Sequence, residues 1–206
     1  MPLENVHKDA NRIWALWKIE ENEDALQHMI KEEIAPDSIT NPYKRLEYLA
    51  GRLLLKHLLT QWDMDYKGIV KDAHGKPFLR DHNIHISMSH SYPYVAAVVD
   101  KDQTTGIDLE QPKEKLLKIA ARVLNAAELQ DASHDITKHC IYWCAKEALI
   151  KIYGKKDLIL SKNIAILPFL MQKKGFLTGS IIVNGIPNTI PLYYEVYDNF
   201  VVVLNK

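Results

Sequence analysis

A chain of 206 residues can bury one generous core or two small ones, and its 47% hydrophobic and 25% charged content excludes disorder and fibre. Lys plus Arg and Asp plus Glu number 26 each, with 13 basic and 16 acidic side chains in residues 1–105 and 13 and 10 in residues 106–206; so mild a polarity excludes a nucleic-acid partner held by a broad basic surface. The apolar runs at 94–99 and 200–204 are strand-sized rather than membrane-spanning, and the first residues, with Glu4, Lys8, Asp9 and Arg12, have no signal-peptide core, so the chain reads as cytoplasmic.

Asn41-Pro42 is a helix start, with Asn as cap and Pro at the first helical position. Leu46, Leu49, Ala50, Leu53, Leu54 and Leu58 then recur at helical spacing to about Gln61. A turn at 72–75 leads into Gly75-Lys76-Pro77. Ile84, Ile86 and Met88 alternate with His85, Ser87 and Ser89, the period of a half-buried strand, and residues 94–99 read as its return partner. Residues 106–110 alternate again, with Ile107 and Leu109 on one face and Asp108 and Glu110 on the other.

A short helix is expected over 112–124, bearing Lys113, Lys115, Lys118 and Arg122. A longer one runs from about Asp135 to Tyr153 and stops at Gly154. It carries Cys140 and Cys144, the only two cysteines, which read as buried free thiols of a reducing compartment rather than a disulfide or metal pair. Strands follow, with Asn184-Gly185 as a hairpin turn and residues 193–197 and 200–203 flanking Asp198-Asn199. Pro187 and Pro191 point to an edge position or an irregular connection. The fold class is α+β, each half reading as a long helix followed by antiparallel strands.

Three groups of residues could carry chemistry. Asp108 and Glu110, i and i+2 on a strand, aim two carboxylates at one hard cation, an arrangement also met by a solvated strand face. Trp143, Glu147 and Lys151 share a helical face, where Glu147 could be a third ligand or a base and Lys151 a phosphate cation; the simpler account is an i,i+4 surface pair beside a core tryptophan. Ser89-His90-Ser91, read as a loop, and Lys76 offer hydroxyl, imidazole and ammonium donors for phosphate oxygens. His82, His85 and His90 match no zinc spacing.

The order of these groups is more specific than any one of them. Gly75-Lys76-Pro77, Ser87-Met88-Ser89-His90-Ser91, Gly106-Ile107-Asp108-Leu109-Glu110 and Trp143-Cys144-Ala145-Lys146-Glu147-Ala148-Leu149-Ile150-Lys151, with Arg122 and Glu128 between, resemble the surfactin-synthetase-type (Sfp-type) 4′-phosphopantetheinyl transferases over residues 44–161. The resemblance implies a pseudo-twofold fold of two similar halves, 1–105 and 106–206, with the active site in the cleft between them. It implies transfer of 4′-phosphopantetheine from coenzyme A to a serine of an acyl or peptidyl carrier protein, with release of adenosine 3′,5′-bisphosphate.

Asp108, Glu110 and Glu147 would then hold Mg²⁺ (or Mn²⁺), and Lys76, Ser89 and His90 would hold coenzyme A. Lys151 would lie by the phosphates, and Arg52, in a family-like Leu-Ala-Gly-Arg run, is preferred over Arg45 as the phosphate-binding arginine. Glu147 and Lys151 are the expected catalytic pair, 113–124 is a suitable carrier-contact helix, and the expected species is a monomer. A non-catalytic module binding coenzyme A or carrier protein on the same fold is the alternative, and a Mg²⁺-dependent nucleotide or pyrophosphate hydrolase a third reading.

Overall fold

The computed structural model describes residues 3–206, which divide into two compact units, 3–105 and 106–206. The first opens with strands β1 (Leu3–Lys8) and β2 (Arg12–Lys18), continues through helices α1 (Glu23–Met29) and α2 (Pro42–Thr60), and adds strands β3 (Ile69–Lys71), β4 (Pro77–Leu79), β5 (His85–Ser91) and β6 (Tyr94–Asp100). β3 and β4 form a two-stranded ribbon, while the main sheet is antiparallel in the order β1-β2-β6-β5.

Sequence chemistry explains why α2 begins and where it faces. The Asn41 side chain accepts from the amides of Tyr43 and Lys44, and Pro42, which lacks a donor, follows it. Leu49, Ala50, Leu53, Leu54 and Leu58 then bury one stripe against β2, β5 and β6. Central β6, flanked by β2 and β5, is buried at all seven positions; its Val95, Ala97 and Val99 join the core under α2.

The second unit opens with β7 (Ile107–Glu110), followed by α3 (Lys115–Val123), α4 (Ala126–Ala132), α5 (Ile136–Tyr153) and α6 (Leu160–Asn163). Strands β8 (Ile164–Ile166), β9 (Lys174–Val183), β10 (Ile186–Val196) and β11 (Val201–Asn205) complete an antiparallel sheet in the order β7-β11-β10-β9-β8. α5 is capped by Asp135, whose side chain accepts from the Lys138 amide, and ends at Gly154 in the left-handed region. It is apolar nearly all round because it lies between the sheet and α3 and α4.

Asn184 and Gly185, with φ of 50° and 77°, supply the two left-handed residues of the tight β9–β10 turn. Pro187 and Pro191 lie in β10, but β11 pairs with that strand only from Leu192 onward, so both prolines sit where β10 is locally an edge. Among the described residues no helix is long and apolar enough to cross a membrane.

Three local expectations are corrected. The sheets do not simply follow their long helices, since β1 and β2 precede α2 and β7 precedes α5. Ser89-His90-Ser91 is the end of β5, paired with residues 94–96 of β6, and not a loop. The helix expected over 112–124 starts at Lys115, and α4 follows it as a separate helix with a capping box of Asn125 and Glu128.

Gly106, the residue before β7, lies against α5. A Cβ there would lie 2.1 Å from the Ala148 carbonyl oxygen and 2.9 Å from Ile152 Cγ1. The carbonyl belongs to the helix ladder and cannot yield without loss of backbone geometry. Gly106→Ala should therefore destabilise the protein by about 1–3 kcal/mol, read as a lower urea midpoint at unchanged m-value. An unshifted midpoint would show that β7 is free to move off α5.

Candidate active site

In the second unit, β7 directs Asp108 and Glu110 from one face, with Ile107 and Leu109 buried on the other. Asp108 is itself buried and faces α5. Lys151 Nζ donates to Asp108 Oδ1 at 2.8 Å and to the Ile107 carbonyl at 2.7 Å. Glu147, one turn before Lys151 on α5, is partly buried. Burial and then the neighbouring Asp108 charge raise its pKa above the ordinary carboxylate value, opposed by Lys151. Asp108, Glu147 and Lys151 therefore share one electrostatic environment, and Lys151 is no isolated surface lysine.

Glu110 is held differently. Its Oε1 accepts from the Gln111 amide at 2.8 Å, and its Oε2 pairs with Lys115 Nζ of α3 at 2.8 Å. Among the described residues no three His, Cys, Asp or Glu side chains stand together closely enough to hold a metal ion. The donor chemistry nonetheless fits a hard cation: Asp108 and Glu110 offer carboxylate oxygens from one strand face, and each takes an ammonium group as its counter-charge.

Trp143 packs into the second unit's core and, with Leu116, Ile119 and His139, lines a small apolar recess where α3 meets α5. Cys140 and Cys144 are buried free thiols on the inner side of α5, their Sγ atoms directed at the carbonyls of Glu110 and Val201.

In the first unit, a cleft of about 590 Å³ is lined by Lys44, Tyr48, Arg52, Lys71, Ser89 and His90, among others. Arg52, Ser89 and His90 are thus brought together in one cleft. Gly75 and Pro77, the neighbours of Lys76, also line it. Burial lowers the Lys76 pKa, with Asp72 opposing, and the Lys76 amide donates to Asp72 Oδ1 at 2.9 Å. Arg45 instead clamps the segment before α2. It pairs with Glu23 and donates to the carbonyls of Ala35, Pro36 and Ile39.

Two acidic residues that sequence reasoning missed orient this cleft. Glu33 accepts from Arg52 Nε, both Tyr48 and Tyr66 hydroxyls and the Ile69 amide, and the Arg52 guanidinium lies 3.3 Å over the Tyr48 ring. Glu47 is buried and accepts from the Tyr92 amide, with Lys44 Nζ at 2.6 Å and His90 Nδ1 at 3.1 Å. Burial alone would raise the Glu47 pKa, but His90 and Lys44 outweigh it and bring it to about 2. No sequence signal marked Glu33, because it lies in an irregular segment. Glu47 lies within α2, where its letter alone does not distinguish a buried carboxylate from an exposed one.

Known proteins resemble both units in sequence. The family model for the 4′-phosphopantetheinyl transferase superfamily matches residues 104–196, and that for the 4′-phosphopantetheinyl transferase N-terminal domain matches residues 38–100. The chain is also 34% identical over 116 residues to the 4′-phosphopantetheinyl transferase psf-1 of Bacillus pumilus, an alignment covering 52% of this chain and 49% of that protein. The chain thus spans about half the length of this curated relative. The two family matches divide between the two units, the first holding the basic cleft and the second the carboxylates of β7 and α5, and on that ground the chain belongs to the 4′-phosphopantetheinyl transferase superfamily.

Proposed function

We propose that the protein transfers 4′-phosphopantetheine from coenzyme A to a serine hydroxyl of an acyl or peptidyl carrier protein and releases adenosine 3′,5′-bisphosphate. The observation that carries this reading is the Asp108, Glu147 and Lys151 group: two carboxylates and an ammonium group at the junction of β7 and α5, on a chain of this superfamily.

Phosphoryl transfer asks a protein for positioning and charge neutralisation more than for covalent chemistry. Arg52, Ser89, His90 and Lys76 supply donors for the coenzyme's phosphates. Glu33 fixes the guanidinium and Glu47 fixes the imidazole, so little side-chain entropy is lost on binding. Glu147, on α5 beside Asp108 and Lys151, takes the proton of the serine hydroxyl. Lys151 offsets charge on the departing phosphate. Asp108, Glu110 and Glu147 are the residues that would hold Mg²⁺ or Mn²⁺, and the bound ion would supply further neutralisation of the pyrophosphate. The setting is the cytoplasm and the active species a monomer.

The test is intact mass spectrometry of purified apo carrier protein incubated with this protein, coenzyme A and Mg²⁺. A mass gain of one phosphopantetheine arm, absent with EDTA, is the expected result. Failure across fatty-acid, polyketide and peptide carriers while coenzyme A still binds would replace the transferase with a non-catalytic module. Release of adenosine bisphosphate without any carrier would indicate a hydrolase.

A further inference from the structure

Lys115 belongs to α3, yet its ammonium group is 2.8 Å from Glu110 Oε2, a carboxylate of β7. Across the same strand face, Lys151 holds Asp108. The two lysines place two positive charges on the two carboxylates that would hold a divalent cation. A dication entering there brings the same charge and needs the same oxygens. One of the two lysines, Lys115, has a side chain more than half exposed (57%), so it can swing into solvent at little cost once Glu110 is taken.

We infer that Lys115 is an exchangeable occupant of the metal site: it neutralises Glu110 while no metal is bound and is released onto the surface of α3 when a divalent cation takes that carboxylate. The inference rests on the reading of Asp108, Glu110 and Glu147 as the metal residues. It adds that metal loading and the basic charge displayed by α3 are coupled. Lys118 is exposed on the same helix, so release of Lys115 concentrates positive charge where an acidic partner surface, such as that of a carrier protein, would dock. Coupling of this kind is reciprocal: the partner that captures the freed ammonium must tighten the metal by the factor by which the metal tightens the partner.

The direct test is the affinity of the metal-stripped protein for Mn²⁺, followed by electron paramagnetic resonance without coenzyme A or carrier protein. Lys115→Gln removes the competitor and should tighten Mn²⁺ by about two- to fivefold, the scale of a solvent-exposed ion pair. Lys118→Gln removes the same formal charge from the same helix without freeing Glu110, and measures the through-space part, which should be smaller. Equal tightening by both variants, or none with Lys115→Gln, would overturn the exchange while leaving the metal site standing. A wild-type protein that takes up no Mn²⁺ would remove the metal reading and this inference with it.

A second arm uses an apo carrier protein whose acceptor serine is replaced by alanine. Mg²⁺ should tighten its binding to wild type, and Lys115→Gln should abolish that dependence. Persistence of the full Mg²⁺ effect in the variant would overturn the coupling.

Discussion

Glu147→Gln is expected to lower kcat by about two to four orders of magnitude, the usual contribution of a positioned general base, while leaving the affinity for coenzyme A nearly unchanged. The amide preserves the volume and a hydrogen-bonding oxygen of a partly buried side chain on α5, so the packing of the helix is undisturbed. What is lost is the capacity to take a proton, and the negative charge that Asp108 opposes and Lys151 favours. Removing that charge relieves a like-charge contact, so the variant should be no less stable than wild type in urea. A loss of activity with intact stability separates chemistry from folding. A rise confined to KM for coenzyme A would instead make Glu147 a binding residue and leave the serine without its base. Asp108→Asn is the companion change. Asp108 is buried and ion-paired, so alanine would open a hole as well as remove a ligand, whereas asparagine removes chiefly the charge.

How much of this was legible in the sequence follows from the range of the interactions involved. Asn41-Pro42, Asp135 with Gly154, and Asn184-Gly185 act on backbone within a few residues, and each lies at the helix end or turn it signals. β1 and β2 carried no comparable punctuation. They become strands by pairing with each other and with β6, more than seventy residues away in the chain, and Trp14 and Trp17 on β2 read equally well as core of any element. α4 did carry a local signal, the capping box of Asn125 and Glu128, and it went unread as a helix start.

The candidate site divides in the same way. Arg52, Ser89, His90, Asp108, Glu147 and Lys151 stand in motifs whose order is visible in one dimension. Glu33 and Glu47, which hold Arg52 and His90 in place, are visible only once the chain is folded, because a buried carboxylate and an exposed one are the same letter.

The largest stability effect is expected at Lys146, the neighbour of Glu147 in the same motif. Its side chain is fully buried: Nζ lies 2.7 Å from Glu128 Oε2 and donates to the carbonyls of Leu160 and Ile164 at 3.0 and 2.6 Å. Glu128, equally buried, also accepts from the amides of Asn125 and Ile166 at 2.8 Å each. Burial lowers the Lys146 pKa and Glu128 pulls it back up, so the ammonium depends on its carboxylate partner. Lys146→Met keeps the length of the side chain and strands the Glu128 carboxylate, together with two carbonyls, in the interior. The expected cost is about 3–5 kcal/mol, measured as loss of unfolding free energy in urea.

Adding Glu128→Gln should recover part of that cost, because it removes the uncompensated charge while keeping a carbonyl acceptor for one of the two amides, Asn125 N–H on Oε2 or Ile166 N–H on Oε1; the other then faces the new NH₂, which is why the recovery is only partial. Full additivity of the two losses would mean that the pair is not coupled and that the damage comes from the Leu160 and Ile164 carbonyls alone. The pair ties α5 to α4, α6 and β8 at the residue before Glu147. A partial rescue of stability by the double variant, with kcat still depressed, would show that rooting this turn of α5 also sets where the Glu147 carboxylate stands.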